Sequence, residues 1–222
     1  MTLLRQAAAV AAKDLRVEAR GRYALGAVLP FAATLLLAFG LSLGPGRTLL
    51  RETAPGLLWL AVLFAAVLAS RRAYEAEAED GAMEGLLLAP VDKAAIFLGK
   101  AAGIAAQLVV LEVVVVAMVA ALFDLPIAGN LGAFVAAFLL GTVGLAAVGA
   151  LFGALDVSAR AREAVFPLLV LPLATPVLVA GVKATALAVE GHGASSWLGL
   201  LVAFDLVVLA AGTLVYEHLL ED

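Results

Sequence analysis

The chain has 222 residues, of which 64% are hydrophobic and only 14% charged, and its mean hydropathy is +1.10. A soluble domain carries roughly half apolar and a quarter charged residues, so a water-soluble fold of this length could not cover so much apolar surface. The net charge of −4 gives no reason to expect nucleic acid as a partner, and the lack of cysteine excludes a disulfide framework, a thiolate metal site and thioether attachment of a prosthetic group.

Long apolar runs without strand-like alternation select helices. A bilayer core about 30 Å thick takes about 20 apolar residues in a helix, and only helices or closed barrels satisfy every backbone hydrogen bond there. The expected fold is all-α: a polytopic membrane protein with six transmembrane helices, an N-terminal interfacial amphipathic helix, and a cytoplasmic helical segment between the second and third spans.

In chain order, residues 2–22 carry Arg5, Lys13, Asp14, Arg16, Glu18, Arg20 and Arg22, which leaves no uninterrupted apolar core of a cleavable signal. This stretch is expected to be kept. Leu4, Ala8, Ala11 and Leu15 recur at helical spacing, the pattern of a helix lying in the membrane interface. The first span, 23–43, ends at the turn Gly44-Pro45-Gly46. The second, 54–70, stops at Arg71-Arg72, because each cation would cost about 2.5–3.5 kcal/mol at the bilayer centre. After the polar stretch 71–93, the third span, 94–123, carries Lys100 near one end and Glu112 inside, with Asp124 and Pro126 at its exit. The fourth, 131–155, offers close approach to a neighbour through Gly141, Gly144, Gly149 and Gly153. The fifth, 164–182, contains Pro167, Pro172 and Pro176, each expected to remove a helix hydrogen bond and together to kink it. The sixth, 197–216, leads into an acidic tail. Residues 1–222 read as a single transmembrane domain without a soluble domain or repeat.

Six crossings put both termini on one side. With that side cytoplasmic, Arg5, Lys13, Arg16, Arg20, Arg22, Arg71, Arg72, Lys93, Lys100, Arg160 and Arg162 lie inside, and only Arg47, Arg51 and Lys183 of the 14 lysines and arginines lie outside. This satisfies the positive-inside rule.

A pump that hydrolyses ATP needs a loop such as GxxxxGK[ST], in which backbone amides, the lysine and a hydroxyl converge on the phosphates. The chain has none: Leu98-Gly99-Lys100 and Gly44-Pro45-Gly46-Arg47 lack the context and the hydroxyl after lysine. In an ATP-driven process another subunit must therefore bind the nucleotide. The stretch from Tyr74 to Pro90 is acidic and helix-prone through Glu75, Glu77, Glu79, Asp80 and Glu84, followed by Leu86, Leu87, Leu88 and the terminating Pro90. It reads equally as a solvated hairpin or as an element that docks on a partner.

Residues 49–100, LLRETAPGLLWLAVLFAAVLASRRAYEAEAEDGAMEGLLLAPVDKAAIFLGK, closely resemble the heme exporter protein B (CcmB) family. Its pattern of an APG-x-x-W start, an acidic DG-x-x-E loop and a following proline is met by Ala54, Pro55, Gly56, Trp59, Asp80, Gly81, Glu84 and Pro90. Val170-Leu171-Pro172-Leu173 with Pro176 resembles the family's proline-rich fifth helix, and Leu139-Leu140-Gly141-Thr142 its fourth. Tyr74 stands where phenylalanine is expected, Ala89 where leucine is common, and Glu112 where an apolar residue is expected.

The resemblance implies the permease subunit of an ABC transporter for cytochrome c maturation in the bacterial inner membrane, a multi-pass chain with both termini cytoplasmic, and not itself an enzyme. ATP would bind a separate cytoplasmic ABC ATPase subunit, whose closure drives heme export or the release of heme-loaded chaperone. The further implied partners are a heme-handling membrane protein and a periplasmic heme chaperone. Segment 71–93 then becomes the ATPase-coupling loop, with Tyr74, Glu77, Asp80, Gly81, Glu84, Leu88 and Pro90 as its functional residues, and Pro167, Pro172 and Pro176 as a candidate hinge or a set of static kinks. A generic ABC-2 export permease for lipid, drug or polysaccharide would share the same loop.

Glu112 and Asp205 are intramembrane carboxylates, which fit a polar translocation site or proton relay, or else simple inter-helix bonding with Lys183 as a partner. On the first reading a gradient-driven transporter or an intramembrane enzyme stays open. The two histidines, His192 and His218, read as loop and tail residues more readily than as heme ligands. No metal site and no heme bound directly by this chain are expected. Arg160 and Arg162 are most simply topology anchors.

Overall fold

The computed structural model describes residues 2–21, 26, 28–79, 91–126, 129–158 and 165–219, without the side chains of 75–79, 154–158, 165–169 and 217–219. Among them the regular elements are helices: α1 (Leu3–Gly21), α2 (Leu29–Leu43), α3 (Arg47–Glu79), α4 (Lys93–Phe123), α5 (Leu131–Ser158), α6 (Val165–Val189) and α7 (Ser195–Leu219). The chain is an all-α, multi-pass membrane protein. Five helices, α3 to α7, are long and apolar enough to cross a bilayer. The expectation of six spans is met less simply at α2, whose 15 residues reach about 22 Å. Part of the expected first span, 23–25 and 27, lies outside the described residues.

Charged residues mark the edge of the bilayer and not the end of a helix. α3 therefore starts at Arg47, ahead of Pro55, and continues through Arg71-Arg72 to Glu79, while α6 runs on past Lys183 to Val189. Long cationic side chains reach the interface while their backbone stays helical. Asp92 opens α4 by accepting a hydrogen bond from the Ala94 amide at 2.9 Å, an N-cap that satisfies one free donor. Pro172 and Pro176 sit inside an α6 that is helical throughout. Pro167 falls in its first turn, where a missing amide hydrogen costs little.

α5 is in contact with α3, α4, α6 and α7. Its glycines admit side chains more than backbones. A β-carbon at Gly141 would stand 2.1 Å from the Trp59 ring, one at Gly149 1.9 Å from the Ser70 hydroxyl, and one at Gly153 2.2 Å from the Tyr74 ring. α3 and α5 thus run parallel with one face of α3 inlaid into the glycine face of α5. Trp59 is the centre of this joint: fully buried, stacked on Phe138 with centroids 5.2 Å apart, confined on its other side by Gly181 of α6, and donating from Nε1 to Thr185 Oγ1 at 2.9 Å.

α1 lies against α4, burying Ala7, Val10 and Asp14. The expected apolar stripe is not the buried one, since Leu4 is 76% exposed and Leu15 also faces outward. Close approach explains the choice: Gly99 and Gly103, one helical turn apart on α4, leave room only for small side chains, and a β-carbon at Gly99 would stand 2.7 Å from the Ala7 carbonyl oxygen. The outward leucines then face the surroundings of the bundle, as an interfacial helix requires.

Candidate coupling site at the loop end of the bundle

Of the segment singled out by sequence, the end of α3 and residues 91–93 are described. Glu77 falls within the last turns of α3, but its side chain, and Asp80, Gly81, Glu84, Leu88 and Pro90 entirely, lie outside the described residues. Tyr74, the first of the set, is described and buried. Its hydroxyl donates to the Ala150 carbonyl of α5 at 2.7 Å and lies 2.9 Å from the Tyr216 hydroxyl of α7. Because Tyr74 has one proton to give, Tyr216 is the donor in the second bond. The Tyr216 ring in turn packs on Phe97 of α4 at 5.5 Å, and Phe97 occupies the space left by Gly212 of α7. The root of the loop is therefore joined to α4, α5 and α7 within a few side chains. Phenylalanine at position 74 would lose both hydroxyl contacts.

Next to Tyr74 sits a fully buried lysine. Lys100 Nζ donates to the Ala73 carbonyl at 3.1 Å, pairs with Asp14 Oδ2 of α1 at 3.1 Å, and lies 5.0 Å from the centre of the Tyr74 ring. Asp14, 8% exposed, also receives Lys13 at 3.2 Å. Where the loop returns, the Asp92 amide donates to Gln6 Oε1 of α1 at 3.3 Å. Asp14, Gln6 and Tyr216 were not among the sequence-derived candidates. The available signal was the pair Gly99 and Gly103 flanking Lys100, a small-xxx-small face that calls for a close neighbour.

The two intramembrane carboxylates do not form one site. Glu112 on α4 accepts from Thr142 Oγ1 on α5 at 2.5 Å and lines an apolar groove of about 260 Å³ between these helices, with Val113, Phe134 and Phe138. Asp205 on α7 lies against Gly144 on a different side of α5. Neither of its oxygens has a hydrogen-bond partner among the described residues, and Lys183 is exposed, so the expected pairing with Lys183 is not formed. The separation removes the geometry an acid and base pair would need.

At the opposite end, Arg51 Nε donates to the Asp124 carbonyl at 3.0 Å and its guanidinium also meets the Asp124 carboxylate. Asp124 closes α4 in a left-handed conformation, φ 52°. Near it, His192 is exposed and pairs with Glu190 at 3.3 Å. The His218 side chain, Arg160 and Arg162 lie outside the described residues.

Comparison with known proteins places this architecture. The family model of the CcmB protein matches residues 5–221. A heme exporter protein B of Pseudomonas aeruginosa is 32% identical over 208 residues, covering 90% of this chain and 93% of that protein. One of Rhodobacter capsulatus is 30% identical over 204 residues, 91% and 92% of the two chains, and one of Bradyrhizobium diazoefficiens 32% over 206 residues, 90% of each. With the match running from α1 through α7, the chain belongs to the CcmB family.

Proposed function

We propose that the chain is the permease subunit of an ABC transporter of the bacterial inner membrane that serves cytochrome c maturation, exporting heme or driving release of a heme-loaded chaperone. The observation that carries this reading is likeness over nine-tenths of the chain to proteins named heme exporter protein B, in a sequence without a nucleotide-binding loop. ATP is hydrolysed by a separate cytoplasmic subunit, and a heme-handling membrane protein and a periplasmic heme chaperone complete the assembly. Heme is cargo of the complex.

The ATPase meets segment 71–93, and Tyr74 carries its movement into α5 and α7. Both termini then lie in the cytoplasm, in keeping with Lys100, Asp14 and Tyr216 gathering at the loop end of the bundle. Purification from the native membrane in mild detergent tests the assignment. A co-purifying cytoplasmic ATPase together with cytochrome-maturation proteins is expected, with heme lost when those partners are stripped away. An ATPase accompanied by lipid- or polysaccharide-handling partners would replace the cargo and keep the mechanism. Alanine at both Asp80 and Glu84 is expected to abolish cytochrome c assembly, and normal assembly in that variant would refute the role of the loop.

A further inference from the structure

Ala73, near the start of the coupling segment, and Asp92, near its end, are both tied to α1. Asp92 is tied directly, through Gln6 Oε1 and the Asp92 amide. Ala73 is tied through Lys100, whose ammonium bridges the Ala73 carbonyl and Asp14 at 3.1 Å each. Adhesion of α1 does not require this charge. Ala7 and Val10 already pack into the glycine face of α4, and an apolar side chain of the same length would fill the space of Lys100 without the several kcal/mol needed to desolvate a buried ion. What the ammonium adds is a connection, because its hydrogen bond to Ala73 and its ion pair with Asp14 reach α3 and α1 from α4 and so make α1, the end of α3 and the start of α4 one body.

We propose that α1 is a further element, beside α5 and α7, that receives the displacement of segment 71–93, and that Lys100 is the positioning residue that transmits it to α1. This deepens the reading of that segment as the ATPase-facing loop and rests on it. ATPase closure displaces the ends of α3 and α4. Lys100 and Gln6 oblige α1 to follow, and α1 carries the movement along the membrane surface to the part of α4 it covers.

The experiment uses the complete complex carrying Asp14→Asn together with Lys100→Met, which removes both charges with little change of volume. Replacing both partners of a buried pair is tolerated far better than removing one. The double variant is expected to accumulate and to capture the ATPase as the natural chain does, while cytochrome c maturation falls about tenfold, the size of an ordinary coupling energy between sites. Maturation at the natural level would overturn the proposal. Asp80→Ala with Glu84→Ala, assayed in parallel, separates the two ideas: if the loop variant blocks maturation while the Lys100 variant does not, only the transmission role falls. If the loop variant matures cytochromes normally, the loop reading falls first. Should the double variant not accumulate, spin labels at Leu4 of α1 and Val179 of α6, both exposed in a chain without cysteine, measure the movement in the otherwise natural sequence. A distance that shifts when ATP is added supports the proposal, and an unchanged distance overturns it.

Discussion

Alanine at Gly141 tests whether the joint between α3, α5 and α6 is as tightly built as its distances state. The added methyl would stand 2.1 Å from one carbon of the Trp59 ring and 2.6 Å from the next, and the ring has little retreat, because it also fills the space at Gly181, where a β-carbon would stand only 2.6 to 2.8 Å from it. Sliding it within its plane breaks the 2.9 Å bond from Nε1 to Thr185 and the stack on Phe138. Overpacking costs about 1–3 kcal/mol, and a lost buried hydrogen bond adds about 1 kcal/mol. Gly141→Ala should therefore destabilise the protein by about 2–4 kcal/mol. Gly199→Ala is the control: it lies in α7 with open space around it, so alanine removes only the glycine penalty of a helix and should be neutral or stabilising by up to about 1 kcal/mol. The assay is the unfolding equilibrium in mixed micelles, followed by the emission of the two tryptophans. Trp59→Leu in the Gly141→Ala background should recover part of the loss, a non-additivity that marks direct contact. Equal stability of the two glycine variants would refute the packing argument.

Two further substitutions separate the hydroxyl network at the loop root into its parts. Tyr216→Phe removes one hydrogen bond and should cost about 1 kcal/mol, whereas Tyr74→Phe removes that bond and leaves the Ala150 carbonyl without its donor, for a total of about 2 kcal/mol. The same micelle assay reads both, and the reverse order would contradict the donor assignment. Thr142→Val takes from Glu112 its hydrogen-bond donor and should cost about 1–3 kcal/mol, while adding Glu112→Leu removes the unpaired carboxylate and should restore most of the loss. A double variant no more stable than Thr142→Val would show that the Glu112 pair is not an isolated unit.

Helices, their order and their membrane character were legible because each depends on local properties of the chain: apolar length, the turn at Gly44-Pro45-Gly46, the lopsided placement of cations. The family was legible for a similar reason, since Ala54-Pro55-Gly56, Trp59, Asp80-Gly81 and Glu84 keep their order and spacing along the chain. Helix ends were less legible. The charges of Arg71-Arg72 suggest a boundary at residue 70, although long cationic side chains let the helix continue through the interface to Glu79.

The sequence by itself determined a polytopic helical membrane protein with an acidic segment after the second long span and without a GxxxxGK[ST] loop. Partner choice across the bundle was decided only by tertiary structure. Glycines 141, 149 and 153 announce a close contact, but nothing local says that Trp59, Ser70 and Tyr74 fill them. Lys100 and Asp14 are 86 residues apart in sequence yet 3.1 Å apart in space, while Glu112 and Asp205, two acids of the same kind, stand on different sides of α5. The physical reason is that apolar length is a property of one helix, whereas the rotation and depth at which helices meet are settled jointly, by which small residues admit which large ones.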